Sequence, residues 1–247
     1  MEWQAPAIVL DTRPYGEGDA VATVFTAEYG AHRGLARGGL SRMRAATWQA
    51  GNLVEARWVG RLSDQLGSFT AELVHPAAAL AMNDRLALAL LSSACAVAGG
   101  ALPEREPHAR VFGSLVHFIM RLGEPAISDY VRWELLLLAD LGYGLDLSVC
   151  AVTAATSGLA WVSPKTGRAV SDEAAGEWKS RLLPMPGFLG GPPVPDQLDW
   201  IHGLKLTGHF LARDAFGTQH RPLPAARQFL VDYVASAAIQ EVATDAG

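Results

Sequence analysis

The chain has 247 residues, half of them hydrophobic, enough to bury a sizeable core and to divide into more than one structural unit. A formal net charge of −5 and a pI near 5.8 exclude a protein that coats nucleic acid over its whole surface, but leave room for a local basic site. Two cysteines, Cys95 and Cys150, cannot form a disulfide framework. The opening Met-Glu-Trp-Gln-Ala-Pro lacks the basic and apolar regions of a signal peptide, so a cytoplasmic protein with reduced thiols is expected.

Residues 1 to about 80 read as β. Ala7-Ile8-Val9-Leu10 is a short apolar run closed by Pro14, Gly16 and Gly18, and Val21 to Phe25 is a second, ended by Glu28-Tyr29-Gly30. His32 to Arg37 follows, then a Gly/Ser/Arg loop, and Leu53–Val59 and Leu66–Val74 complete five candidate strands. Five short strands separated by glycine turns suit a small closed barrel such as the OB-fold, and the spacing fits an SH3-like barrel almost as well.

From about residue 81 the pattern is helical. Asn83 is placed to cap a helix running to about Ala98, His108 to Leu122 forms another stopped by Gly123, and Ser128 or Asp129 caps a third ending at Gly142. In the third, Tyr130, Trp133, Leu137 and Leu141 recur at helical spacing and predict a deeply packed face. The uncharged stretch Leu86–Pro103 approaches membrane-spanning length, but serine, glycine and proline interrupt it, so it reads as a buried core helix. Residues 149–194 are different: small residues, a hairpin-like segment Leu159–Val170, and a proline-rich loop from Pro184 to Pro195. Two last helices, about 196–214 and 223–240, are placed to pack back on the body.

Positive charge is concentrated in one window. Between Gly30 and Arg61 stand six arginines (Arg33, Arg37, Arg42, Arg44, Arg57, Arg61) against one acid, Glu55, for a local charge of +5. Guanidinium groups on a barrel strand and its adjoining loop can follow a phosphate backbone, releasing counterions as they bind. Trp48 and Trp58 lie in the same window as candidate stacking platforms. Such contacts hold nucleic acid without reading sequence. A charge run of this kind is also what an ordinary solvated face looks like, and the two tryptophans also fit a barrel core.

No catalytic constellation is found. The seven histidines are scattered without HExxH or HxH, and no GxSxG, P-loop or GxGxxG occurs. The acidic pairs Glu104/Glu106 and Asp172/Glu173 sit in polar loops and read as solvated charge.

Several stretches resemble the RecO family of DNA repair proteins. Ile8-Val9-Leu10-Asp11-Thr12-Arg13-Pro14-Tyr15-Gly16-Glu17-Gly18-Asp19 is similar to the family's opening strand and its Tyr-Gly-Glu-x-Asp turn. Val24-Phe25-Thr26, Gly30 to Gly38, Gln49 to Glu55, Leu141 to Leu147, Ser163 to Val170 and Leu182 to Phe188 resemble later family segments, in order and at family spacing. The resemblance implies an α+β protein: an N-terminal five-stranded OB-fold barrel (1–80), then a helical bundle (81–247) with a small zinc-ribbon-like insertion at about 149–194. It further implies a bacterial, nucleoid-associated mediator that binds single- and double-stranded DNA and anneals complementary strands. The mediator would help RecA replace single-stranded DNA-binding protein (SSB), together with RecR. On this reading Arg33, Arg37, Arg42, Arg44 and Arg57 contact the DNA backbone and Trp58 stacks on bases.

The alternative is an adaptor whose helical body docks an acidic peptide such as the SSB tail, with Arg121 and Arg132 as its cations and the barrel purely structural. Many family members carry two CxxC pairs in the insertion. Here Cys150 alone remains, and the other ligand places fall on Thr153, Ser171 and Ala174, so no metal and no cofactor are expected.

Overall fold

The computed structural model describes residues 1–61, 66–122 and 127–245, which form two compact units, Met1–Ala126 and Ile127–Gly247. Gly123, the expected helix stop, lies outside the described residues.

The first unit is built on five strands: β1 (Glu2–Tyr15), β2 (Asp19–Thr26), β3 (Gly30–Ala36), β4 (Leu53–Val59) and β5 (Ser68–His75). They close in the order β1-β2-β3-β5-β4, with β4 returning to β1. Strand β1 serves both neighbours. Its first half pairs with β4 and its second with β2, and the register shift between Val9 and Asp11 supplies the bend that closure requires. A short parallel pairing of Leu35 with Ser68 and Ala36 with Phe69 shuts the remaining gap. This order and closure are those of the OB-fold rather than of an SH3-like barrel.

Small residues make the barrel wall and large ones fill it. Ala5, Ala7, Ala20, Ala22, Ala36 and Ala56 face inward beside Trp3, Trp48, Trp58 and Phe69. Gly60 and Gly67 admit the Trp58 indole, since a Cβ there would lie 2.4 and 2.3 Å from its ring. The run Ile8-Val9-Leu10 is buried on both faces because the outer side of β1 is also covered. That cover is α2 (Arg85–Ala101), which follows the single turn α1 (Ala77–Ala81). Its Cys95 Sγ donates to the Val9 carbonyl at 3.8 Å, and Gly51 lies close against Leu91. Helix α2 is the expected core helix, and no described helix is long and apolar enough to cross a membrane. Its cap is Asp84 rather than Asn83, because the Asp84 carboxylate accepts from the amides of Leu86 and Ala87. The last helix of the unit, α3 (Ala109–Met120), sets Phe112 edge-on to Phe25 of β2.

The second unit opens with α4 (Ile127–Asp140), so Ser128 and Asp129 lie in its first turn. Tyr130, Trp133 and Leu137 are buried as their spacing predicts, whereas Leu141 falls past the helix end and is only half-buried. Then come β6 (Leu159–Val162), β7 (Ala169–Ser171), the short α5 (Asp172–Ala175) and β8 (Leu183–Pro184), whose strands form a sheet in the order β7-β6-β8. Helix α6 (Asp196–Phe210) packs on α4 and on α7 (Ala225–Asp245).

The four places that hold zinc in ribbon modules are together in this unit. The Cys150 Sγ accepts the amides of Thr153 at 3.5 Å and Ser171 at 3.3 Å, the Ser171 hydroxyl lies 3.5 Å away, and that hydroxyl accepts the Ala174 amide. One thiol, two hydroxyls and a methyl do not fit a zinc ion. Hydrogen bonds do the structural work instead. Burial opposes the thiolate, but the hydrogen bonds from Ser171 and Thr153 outweigh it and bring the Cys150 thiol down to about 6. Trp161 of β6 donates to Asp172 at 2.8 Å, tying the hairpin to the start of α5. Trp178, by contrast, is 58 % exposed with Arg181 over its ring.

Candidate nucleic-acid interface

The six arginines of the basic window do not share one environment. Arg33, on the outer face of β3, meets Glu104 at 2.9 Å, and Arg57, on β4, meets Glu2 at 2.6 Å. Both pairs are about half exposed, so they lower the local charge more than they stabilise the barrel. Glu104 reaches Arg33 because the strap after α2 runs along β3, bridging Ala31 and returning the Arg105 amide to its carbonyl. Glu104 is thus solvated, as its loop setting predicts, but its charge is paired with Arg33.

Arg37, Arg42 and Arg44 are different. They lie on the loop between β3 and β4, all three exposed, and none forms an ion pair among the described residues. The loop is held by a run of turns, Arg44 by Ser41 and Thr47 by Arg44, and by Arg44 Nη1 donating to the Arg37 carbonyl at 2.9 Å. Asn52 fixes its far end through Ala46 O and the Ala78 amide. The guanidiniums therefore stand on a held loop, with no described acid paired to them.

The stacking role expected of the tryptophans is corrected. Trp58 is 1 % exposed and Trp48 4 %, both inside the barrel, with Trp58 Nε1 donating to the Leu66 carbonyl. Alternation on β4 sends Ala56 and Trp58 inward and Arg57 outward, so indole and guanidinium cannot share a surface. Trp3 lies between Tyr29 and Trp58 in the same aromatic stack.

His32, beside Arg33 on β3, is buried edge-on to Trp3 and Trp58. Burial, then the Arg105 guanidinium, hold its imidazole below the ordinary 6.5, against weaker pulls from the Tyr29 backbone and Glu104. The unfolded chain takes up this proton near pH 6.5 and the folded barrel only at lower pH. The barrel is therefore expected to lose stability as pH falls below about 6.5, with no contribution from this group above it. Denaturant titrations over that range, with His32→Gln as the variant of shallower slope, check this.

Arg121 caps the end of α3 in the first unit and is exposed. Arg132 lies on α4 in the second, where Asp129, the Phe188 carbonyl and the Phe188 ring already engage its guanidinium. Among the described residues no group of three or more His, Cys, Asp or Glu side chains is placed to hold a metal.

The family models for the N-terminal and C-terminal regions of recombination protein O match residues 1–77 and 82–221. The chain belongs to the RecO family. Among its relatives, the DNA repair protein RecO of Granulibacter bethesdensis is 57 % identical over 241 residues, 96 % of each chain. Those of Gluconacetobacter diazotrophicus and Acidiphilium cryptum are 56 % and 55 % identical, over 95 % of each chain and over 94 % and 95 % respectively. The boundary between the two RecO matches falls at the end of the barrel, so the N-terminal match coincides with the element that carries the basic loop.

Proposed function

We propose that this RecO-family chain is a non-enzymatic recombination mediator in DNA repair, which binds single- and double-stranded DNA and anneals complementary strands. It would help RecA load onto SSB-coated DNA, with SSB and RecR as partners, in the bacterial cytoplasm at the nucleoid. The barrel (1–80) is the DNA-binding part and residues 81–247 the partner-binding part. The observation that carries the reading is the trio Arg37, Arg42 and Arg44 on a loop of an OB-fold barrel, without an ion pair among the described residues. Guanidiniums on a held loop pair with phosphates and ignore sequence, as annealing of arbitrary strands requires.

A second reading, an adaptor for an acidic peptide such as the SSB tail, has its own support. An apolar groove of about 310 Å³ between α6 and α7 is lined by Ile201, Leu204, Leu223 and Val231, with the exposed Lys205 among them. Arg227 also lines the groove but is buried against Glu134, so the apolar walls beside the exposed Lys205 suit a peptide with a hydrophobic side chain next to a carboxylate.

Fluorescence anisotropy of a labelled single strand under a salt titration, with annealing of SSB-coated complementary strands, tests the first reading. Binding that falls steeply with salt, together with accelerated annealing, is expected. Absence of DNA binding at low salt, with capture of a labelled acidic tail peptide, would leave the adaptor standing in its place.

A further inference from the structure

The tip of the β1–β2 hairpin and the basic loop are one surface. The Asp19 carboxylate accepts the Gly38 amide at 2.7 Å, and the Leu40 amide donates to the Gly18 carbonyl at 3.1 Å. These bonds fasten the start of the loop, next to Arg37, to the hairpin tip that carries Tyr15, which pairs with Asp19. On this joined surface Leu40 is 39 % exposed, and two further large side chains are left more fully in water. Tyr15 is 56 % exposed, and Met43, between Arg42 and Arg44, is 92 % exposed. The barrel aromatics Trp3, Phe25, Trp48, Trp58 and Phe69 are all buried, so the aromatic face denied to the surface by the barrel core is offered instead by Tyr15.

The chemistry of such a surface separates two kinds of nucleic acid. Guanidiniums meet phosphates in a single strand and in a duplex alike. The face of a phenol ring and a thioether gain chiefly from base faces, and a duplex keeps those faces inside its own stack. Glu17 and Asp19, at the turn of the hairpin, are two acids against three guanidiniums, so the charge of the surface still favours a phosphate backbone.

We propose that Tyr15 and Met43 are the base-contacting residues of the barrel, and that they make the Arg37–Arg42–Arg44 surface prefer single over double strands. The inference rests on the DNA-binding reading above. A single strand crossing the loop would lay phosphates along the arginines and one or two bases against Tyr15 and Met43. Both side chains are solvent-exposed, so their replacement leaves the barrel core intact.

The test uses the full chain with a labelled oligothymidine and a labelled hairpin duplex. The Tyr15→Ala/Met43→Ala variant is expected to bind the single strand about tenfold more weakly, with the duplex affinity and both salt slopes unchanged, because no ionic contact is removed. Tyr15→Phe, which keeps the ring, should bind as the parent does. Abasic substitutions in the strand should weaken the parent and leave the double variant indifferent. Equal weakening on strand and duplex, or unchanged single-strand binding, overturns the inference. In the second case an Arg37→Ala/Arg42→Ala variant that loses binding shows that only the base-contact inference has failed. If that variant also binds normally, the DNA surface itself lies elsewhere.

Discussion

Arg227→Ala is expected to destabilise the second unit by about 3–5 kcal/mol, because it leaves a buried carboxylate without its counter-ion. Glu134 is fully buried on α4, and Arg227 on α7 is 3 % exposed. The guanidinium donates to Glu134 through Nε at 3.1 Å and Nη2 at 3.0 Å. Nη2 also reaches the Leu204 carbonyl and the Thr207 hydroxyl of α6. Tyr130 donates to the same carboxylate at 2.7 Å, and the Thr207 hydroxyl donates to its other oxygen. Gly208 makes room, since a Cβ there would lie 2.8 Å from the guanidinium. Burial works against the charge on Arg227, but the Glu134 carboxylate more than offsets it and raises the guanidinium above its ordinary range.

The pair joins three helices, so its loss should appear as faster amide exchange in α4, α6 and α7 together, and as an earlier denaturant midpoint for that unit. Replacing both partners by apolar residues, Glu134→Leu with Arg227→Met, should recover much of the loss, because no charge is then left buried. A cost below about 1 kcal/mol for Arg227→Ala would mean that water or a proton reaches Glu134.

The second large effect concerns the loop. Arg37→Ala/Arg42→Ala is expected to weaken single-strand binding about tenfold near physiological salt and to flatten the logarithmic salt slope by about 1.4, at roughly 0.7 for each phosphate contact on a single strand. Arg33→Ala and Arg57→Ala should each do less, since their guanidiniums must first leave Glu104 and Glu2. The converse distinguishes the two kinds of arginine. Glu104→Gln releases Arg33 and should tighten binding and steepen the slope. Anisotropy titrations at several salt concentrations read all of these, and unchanged affinity and slope in the double variant would remove the loop from the DNA-binding surface.

Much of the first unit is legible in the chain itself. Alternating short strands bounded by Gly16, Gly18 and Gly30 mark β1 to β3, and Leu53–Val59 coincides with β4. The uncharged stretch after Arg85 is α2. Lone Glu134 within an almost wholly apolar run of α4 is a readable sign of a buried partner, though nothing near it points to Arg227, 93 residues on.

The features that residue order alone dictates are therefore local or cumulative: strand and helix periodicity, the basic window, the lack of a zinc ligand set, and membership of the RecO family, which sums weak matches along the whole chain. Pairing and side, by contrast, emerge only on folding. Closure of the barrel brings Glu2 to Arg57, and the strap after α2 brings Glu104 to Arg33, so two arginines of the window are neutralised by acids far from them in sequence. The alternation of β4 turns Trp58 into the core one residue after Arg57 faces water, and the bonds to Asp19 and Gly18 set Tyr15 on the same surface as Arg37. The physical reason is common to all of these: periodicity is written in neighbouring residues, whereas an ion pair or a shared surface exists only once distant segments have been folded to within a few ångströms of each other.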